Sequence, residues 1–506
     1  MSVKTRTLSG TEQYLKEKGL EQSCTELGNS ERFIAMHGHR LKYLAETGTW
    51  LVWDGTRWTP NEALIHECAT RTVKSIYDEA RDCKNTQGRY ELSKWAVRSE
   101  TKYQIKAMTD LAARHKDVNV SVTQFDNDPT KVNCLNGIVD LKTGELVTHT
   151  PDHLLLKQAP VHYKRNAECH RFLGFMDEIF LEDQELLDYV HCALGYSLTG
   201  LTTEHCFFLL YGLGANGKTT LCETIMGILG DYARPMDFAT LLNTDKTDVR
   251  VQEAVGRLKG IRFAVASETE SSKRFSESLV KRLTGDDTLI GTKLHRGSFE
   301  FTQTHKLWLQ VNHLPGVKDA SHGFWRRVRV VPFERRFEAS AIDPALKSKL
   351  IAEQEGIFAW LVQGAMQYLK QGRLPAIPQA VDKANERYRQ DNDVLSRFIA
   401  ECMEKKYGES LGVLETYSAY REWCFKQEET PGPIKFFAQN MEERGIKKKE
   451  TKSKNVFEHY TFKKDTPADK RPSLDDWLKT QPPRTDTWEN YKNKVESESS
   501  EVDIPY

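Results

Sequence analysis

Eight consecutive residues carry the sharpest chemistry in this chain: Gly212-Leu-Gly-Ala-Asn-Gly217-Lys218-Thr219. They fit G-x-x-x-x-G-K-[ST], a loop whose backbone N–H groups converge on phosphate oxygens at the start of a helix. Gly212, Gly214, Ala215, Asn216 and Gly217 supply that cradle, and Thr220 follows directly. Lys218 is expected to reach the β- and γ-phosphates, and the Thr219 hydroxyl to enter a magnesium shell. The flanks suit this chemistry. An apolar run at 206–211 (CFFLLY) reads as a buried strand, and 221–229 reads as a helix.

Triphosphate cleavage also needs an acid on a neighbouring strand and groups that sense the γ-phosphate. The run 261–268 (IRFAVASE) ends an apolar strand in Glu268, which is placed to bind Mg²⁺ through water or to orient the attacking water. Glu270, two residues on, is a second candidate. Asn312 follows the apolar strand 307–311 and is a candidate to hold the lytic water or touch the γ-phosphate. Arg326 and Arg327 enter a further strand at 328–333. An arginine reaching a neighbour's γ-phosphate stabilises transition-state charge.

The elements that must position these residues alternate strand and helix over 200–340, which predicts an α/β core around a central sheet. Upstream, 41–58 reads as strands joined by turns at Gly48 and Asp54-Gly55. Residues 61–116 read as helical, 132–147 as a β-hairpin, and 172–196 as helical again. Tryptophans 50, 53 and 58 read as the core of a small sheet rather than a stacking platform. His37-Gly-His39 reads as a loop pair, not a metal site.

Downstream, helical stretches are expected at 351–369, 394–407, 414–427 and 434–444. Two short strands flank a lysine-rich turn after the last of these, the order of a winged helix-turn-helix. Residues 465–506 hold five of the 17 prolines and 10 Asp/Glu against 6 Lys/Arg, and read as a disordered acidic tail.

Composition bounds the rest. Among 506 residues, 72 Lys+Arg balance 72 Asp+Glu, and apolar residues make up 39%. No apolar run nears the ~18 residues needed to span a bilayer. No secretory signal is readable at the N-terminus. The ten cysteines form no C-x-x-C pair, so neither a zinc ribbon nor a disulfide framework is indicated. A cytoplasmic protein, in a bacterial host, is expected. The balance is not uniform: residues 273–336 hold 13 Lys/Arg against 6 Asp/Glu, a footprint for phosphate contact. Within it, 291–298 reads as a hairpin with a basic tip at Lys293, His295 and Arg296. A second basic cluster, 446–454, has five lysines and one Glu. It includes Lys447, Lys448 and Lys449 in a wing. Lys435 and Gln439 lie on the preceding recognition helix.

The order of P-loop, acid-ended strand, basic segment, Asn312 and paired arginines resembles the superfamily 3 helicases, AAA+ proteins of small DNA viruses, phages and plasmids. It more closely resembles the poxvirus- and phage-type primase–helicase family, whose upstream domain is similar to Leu135-Asn-Gly-Ile-Val-Asp-Leu-Lys-Thr-Gly-Glu145 and Gly195-Tyr-Ser-Leu-Thr-Gly200. The resemblance implies a P-loop AAA+ core at 199–390, a helicase-associated α+β domain at 31–198 and a winged helix at 391–464. A polar segment at 1–30 and the tail at 465–506 complete the expected division.

The resemblance further implies a homohexameric ring with ATP and Mg²⁺ at subunit interfaces, unwinding forked DNA along a single strand. Other replication proteins are possible partners in that setting. By the same resemblance Glu268 is the Walker B acid, Asn312 the sensor, and Arg327 the arginine finger with Arg326 second. Lys293, His295 and Arg296 would grip single-stranded DNA in the ring channel. Many relatives end the acid strand in paired acids, whereas Ser267 precedes Glu268 here, so the roles of Glu268 and Glu270 stay open. Relatives often begin with a primase domain, and a helicase without primer synthesis is expected. Two alternatives stand: an origin-binding initiator that melts DNA locally, or a nucleotide-switched scaffold.

Overall fold

A computed structural model describes residues 23–463, apart from 243–247, 269–273, 294–296, 318–321, 339, 341–342, 428, 430 and 452–453. The N-terminal 22 residues, Glu270, the hairpin tip with His295 and Arg296, and the acidic tail lie outside the described residues. So does the side chain of Lys293. The chain divides into two compact units, the first running through Tyr388 and the second from Arg389.

The first unit begins with α1 (Glu26–His37), whose start is closed by the Thr25 hydroxyl accepting Gly28 N–H. A small sheet follows, β1 (Leu41–Leu44), β2 (Thr49–Trp53), β3 (Trp58–Pro60) and β4 (Asn119–Val120), in the order β3-β2-β1-β4. Trp58 is 1% exposed inside it, and Trp50 meets Phe33 edge-on, so the tryptophans are core residues as their spacing suggests. Helices α2 (Glu62–Asp82), α3 (Thr86–Ser99) and α4 (Lys102–Ala112) fill the stretch between β3 and β4. Each has an Asn or Thr N-cap.

Residues 131–147 form a three-stranded meander, β5 (Lys131–Cys134), β6 (Gly137–Asp140) and β7 (Glu145–Val147), rather than one hairpin. Both predicted turns are used, so two turns give three strands. The helical stretch 172–196 is split into α5 (His170–Phe180) and α6 (Gln184–Leu198), because Leu181 and Glu182 take positive φ between them.

The central sheet is wholly parallel: β8 (Phe207–Tyr211), β9 (Ala233–Asp237), β10 (Phe263–Ser267), β13 (Lys306–Val311) and β14 (Val328–Pro332), ordered β14-β8-β13-β10-β9. Strands β8, β10 and β13 are buried on both faces, as expected for a parallel sheet covered by helices. Between β8 and β9 runs α7 (Lys218–Leu229), and α8 (Asp248–Gly256) and α9 (Glu277–Leu283) follow β9 and β10. An antiparallel hairpin of β11 (Thr288–Lys293) and β12 (Gly297–Thr302) stands apart from the sheet, pairing Lys293 with Gly297. Helices α10 (Leu346–Ala352), α11 (Gln354–Gln371) and α12 (Gln379–Asn392) follow β14.

One hydrophobic core spans both sides of residue 199. It joins Val132 and Val139 of the meander, Phe172 and Phe175 of α5, Phe208 of β8, Ile225 of α7 and Phe358 of α11. Helices α6 and α11 approach so closely that a Cβ on Gly195 would lie 2.1 Å from the Gly364 carbonyl carbon. Strand β9 escaped sequence reading. It is an edge strand with Pro235 in its middle and no apolar alternation.

The second unit runs α13 (Val394–Cys402), β15 (Met403–Gly412), α14 (Val413–Lys426), α15 (Ile434–Glu443), β16 (Lys448–Glu450) and β17 (Asn455–Phe462). Its sheet order is β15-β17-β16, over a core of Phe398, Trp423, Phe437 and Phe457. Residues 403–407, expected as the end of a helix, are strand instead. Pairing with β17 overrides local preference there, and the seven exposed residues between Met403 and Leu411 carry no apolar signal.

The ten cysteines are free thiols, nine of them buried. Among the described residues, no helix is long and apolar enough to cross a membrane.

Candidate nucleotide-binding site

The loop after β8 is built from backbone conformations that turn N–H groups inward. Gly214 (φ 98°), Ala215 (φ 48°) and Gly217 (φ 88°) all adopt positive φ. Runs of this kind make anion-binding concavities, here at the N-terminus of α7. Ala215 holds the left-handed conformation without glycine's freedom, at a cost of about 1 kcal/mol. Asn216 is 3% exposed and its amide donates to Phe333 O at 3.4 Å, pinning the loop to the end of β14.

Lys218 is 5% exposed. Its ammonium donates to Gly212 O, to Asn216 Oδ1 at 3.2 Å and to Asn312 Oδ1 at 3.2 Å. Burial lowers its pKa, against which Cys222 and Glu268 act. The Thr219 hydroxyl donates to Gln310 Oε1 at 2.9 Å. Glu268 sits just past β10, where its N–H donates to Gln310 O at 2.9 Å. Its carboxylate accepts the N–H groups of Asn312 at 2.8 Å and His313 at 3.0 Å. Strand β13 lies between β8 and β10, so its C-terminal end ties loop to acid. Lys218, Thr219, Gln310, Asn312 and Glu268 thus form one connected network at one edge of the sheet.

The paired arginines are elsewhere. Val328 pairs with Phe207 and Pro332 with Tyr211. Arg326 and Arg327 therefore enter β14 at the edge of the sheet opposite the P-loop, about 17 Å away at ~3.3 Å per residue. Arg327 donates to Gly323 O, and its carbonyl accepts Phe207 N–H at 2.9 Å. Burial and then Arg326 lower its pKa, and Asp287 opposes them.

Two site features were missed in the sequence. Gln310 is the one polar side chain in the buried run of β13, and that lone polarity was its signal. Arg335 and Arg336 follow β14 on the P-loop side. Phe333 N–H donates to Tyr211 O at 2.7 Å and Phe337 N–H to Ala215 O at 2.8 Å, which brings this exposed basic pair beside the loop. Only the parallel register reveals that placement.

The candidate DNA contacts lie apart from this network. Lys293 closes β11 of the hairpin. In the second unit Lys435, Lys447, Lys448 and Lys449 are all exposed. Lys449 pairs with Glu458 at 2.8 Å, and Gln439 donates to Glu443 at 3.1 Å within its own helix. That leaves Lys435, Lys447 and Lys448 as the better-placed cations.

Comparison with known proteins now has a geometry to refer to. Residues 30–181 match the D5 N terminal like family model. The chain belongs with the D5-like primase–helicases. "Putative helicase L207/L206" of Acanthamoeba polyphaga mimivirus is 28% identical over 311 residues, covering 57% of this chain and 32% of the relative. "Putative helicase 022R" of Frog virus 3 is 28% identical over 379 residues, covering 59% and 39%. "Putative primase C962R" of African swine fever virus (isolate Tick/Malawi/Lil 20-1/1983) is 24% identical over 326 residues, covering 60% and 34%. The chain spans about a third of the length of these D5-like relatives. Among solved structures, the apo NrS-1 C-terminal region superposes with a TM-score of 0.43 at 10% identity, covering 85% of this chain and 98% of that one.

Proposed function

We propose that this D5-like chain is an ATP- and Mg²⁺-dependent DNA helicase motor acting in replication of a virus, phage, plasmid or other mobile element. The observation that carries the reading is the network at the C-terminal edge of the sheet. There a phosphate-binding loop, a hydroxyl, an amide and a carboxylate are tied together across three strands. Lys218 and the inward N–H groups bind and neutralise the β- and γ-phosphates. Thr219 and Glu268 offer hard oxygen donors, suited to a Mg²⁺ ion that keeps several waters and takes phosphate oxygens. That ion would draw charge from the leaving phosphate. Glu268, fixed by two backbone N–H groups, orients water against the γ-phosphate, and Asn312 reports on that phosphate through Lys218.

The position of Arg326 and Arg327 supports a shared site. They lie too far from their own P-loop to stabilise its transition state, so a cis role is excluded by distance. On an oligomer they would serve a neighbour's pocket, which is the geometry of an AAA+ ring of superfamily 3 type. The second unit, with its α-β-α-α-β-β order and exposed Lys435, Lys447 and Lys448, supports a winged helix that contacts duplex DNA. The β11–β12 hairpin is the candidate channel contact. The division at 31–198, 199–390 and 391–464 is part of the same proposal. An origin-binding initiator remains the second reading, favoured by that basic second unit.

The test is complementation. Lys218→Ala and Arg327→Ala variants are each expected to lose DNA-stimulated phosphate release almost completely. Mixed together they should regain a measurable fraction, because some interfaces then pair an intact P-loop with an intact arginine. No recovery on mixing, with both variants folded and assembled, would remove the shared-site reading. Lack of nucleotide binding by the intact chain would remove the motor altogether.

A further inference from the structure

Beside the phosphate loop lies a cavity of about 1030 Å³, and nothing above assigns it a use. It opens at Ala215, Gly217 and Thr220 and runs along α7 as far as Gly227 and Ile228. Nine residues of helix, Gly217 to Met226, span about 13 Å at ~1.5 Å per residue, enough to lay a nucleoside along the helix. Its walls are chiefly apolar: Phe175, Met226, Phe337, Leu346 and Leu350. Two ion pairs, Arg171 with Glu178 at 3.1 Å and Lys347 with Glu223 at 2.9 Å, stand among its lining residues. An apolar cleft with a few polar groups is how proteins hold flat organic ligands.

Two independent details argue that the space is for a ligand. Gly227 lies within α7 on the cavity wall with no left-handed φ to require glycine. Glycine inside a helix costs up to ~1 kcal/mol relative to alanine. Nothing lies within 4 Å of where its Cβ would be, so no protein packing demands the glycine either. Open cavity is what the missing side chain leaves. The second detail is the opposite wall. A Cβ on Gly217 would meet Ile179 Cγ2 at 2.5 Å and the Phe175 ring at 3.2 Å, so α5 rests directly on the P-loop backbone. Helix α5 falls within the D5 N-terminal-like segment, 30–181.

We propose that this cavity seats the base and sugar of the nucleoside triphosphate whose phosphates the P-loop holds. Its α5 wall makes the D5 N-terminal-like segment part of the nucleotide site rather than a separate module. The inference rests on reading 212–219 as a triphosphate loop and goes beyond it, because it assigns the nucleoside half. Phosphate contacts are made by Lys218 and loop N–H groups that are common to any polyphosphate. Contact with base and sugar is made by Phe175, Met226, Phe337 and their neighbours, which an inorganic polyphosphate does not reach.

The test uses the full chain and two ligands, ATP and inorganic tripolyphosphate, with binding followed by calorimetry and competition. Gly227→Phe fills the cavity from an exposed helical position. It should weaken ATP binding about tenfold or more, which corresponds to ~1.4 kcal/mol, and leave tripolyphosphate binding within about twofold. Gly227→Ala should bind both ligands as the parent does, with an unchanged or higher Tm. Because α5 is a core helix, Phe175→Leu is the matching probe on the other wall, and it should lower ATP affinity selectively. Parental ATP affinity in Gly227→Phe would overturn the inference, as would equal loss of both ligands. A parent chain that binds tripolyphosphate no more weakly than ATP would overturn it while sparing the P-loop reading. A parent that binds neither ligand overturns both.

Discussion

At the scale of single residues, the chain places charge and neutrality by burial as much as by pairing. His305 is 3% exposed at the start of β13, and burial, reinforced by Lys306, pushes its pKa down from 6.5 to about 4. The folded chain therefore holds this imidazole neutral while the unfolded chain protonates it. Its contribution to stability is complete above pH 6.5 and is lost as pH falls from 6.5 towards 4. A shift of this size corresponds to about 3 kcal/mol at 1.36 kcal/mol per unit. We expect His305→Leu to flatten the acid limb of stability against pH over that window, by urea denaturation, relative to the parent. An unchanged acid limb would place the acid sensitivity in other groups. At the same scale the site was partly legible in the sequence. Lys218 and Thr219 stand in a contiguous motif whose chemistry is local. Glu268 and Asn312 end apolar strands, where a polar residue is conspicuous. The partners of these groups were not legible, because Gln310 meets Thr219 only through the β8–β13 register.

At the scale of elements, the helix that walls the proposed nucleoside cavity is capped from a distance. Helix α5 begins at Cys169, which supplies no side-chain cap. Instead Glu353, before α11, accepts Arg171 N–H and Phe172 N–H at 2.9 Å each. One carboxylate thus satisfies two orphan donors and sets negative charge against the positive end of the helix. Glu353→Ala should cost about 1–2 kcal/mol of stability by denaturant titration, the range of a lost N-cap. Because α5 lies on Gly217, the same variant should weaken ATP binding. Stability loss without any change in affinity would mean the P-loop does not feel α5. Capping of this kind cannot be read from spacing, since 182 positions separate Glu353 from Arg171. Elements were legible where burial writes a pattern: β8, β10, β13 and β14 are apolar runs. Strands β9 and β15 were not, since edge position and exposure erase that pattern. The division of α5 from α6 was hidden as well, because Leu181 and Glu182 are not turn residues by type.

At the scale of the whole first unit, two buried cations fasten α6 to the sheet. Lys306 opens β13 and is 2% exposed, and its ammonium donates to Thr199 O, to Leu201 O at 3.1 Å and to Thr304 O at 3.0 Å. Arg262, just before β10 and 4% exposed, donates to Leu198 O at 2.8 Å and lies over the Tyr232 ring. Leu198 and Thr199 close α6, whose C-terminal carbonyls carry the negative end of the helix dipole. Backbone oxygens rather than carboxylates meet these charges, and burial holds the Lys306 pKa well below its ordinary value. Two effects then compete in Lys306→Met. Removing the ammonium relieves a desolvation cost of several kcal/mol, which in some proteins makes such a change neutral. Against this, three carbonyls lose their donor, at roughly 1–3 kcal/mol for each left unsatisfied. The second effect is the larger here, because Met supplies no donor and the site is closed to water. We expect a net loss of about 2–4 kcal/mol, read as a lower midpoint in urea at unchanged slope. The Lys306 charge difference also has a sign. With a folded pKa below the unfolded one, the lysine stabilises most above pH 10.5 and less as pH falls towards its folded value. The gap between parent and Lys306→Met should therefore widen from neutral towards alkaline pH. A gap that narrows would show that the ammonium is fully charged in the fold, and that its carbonyl contacts outweigh its burial.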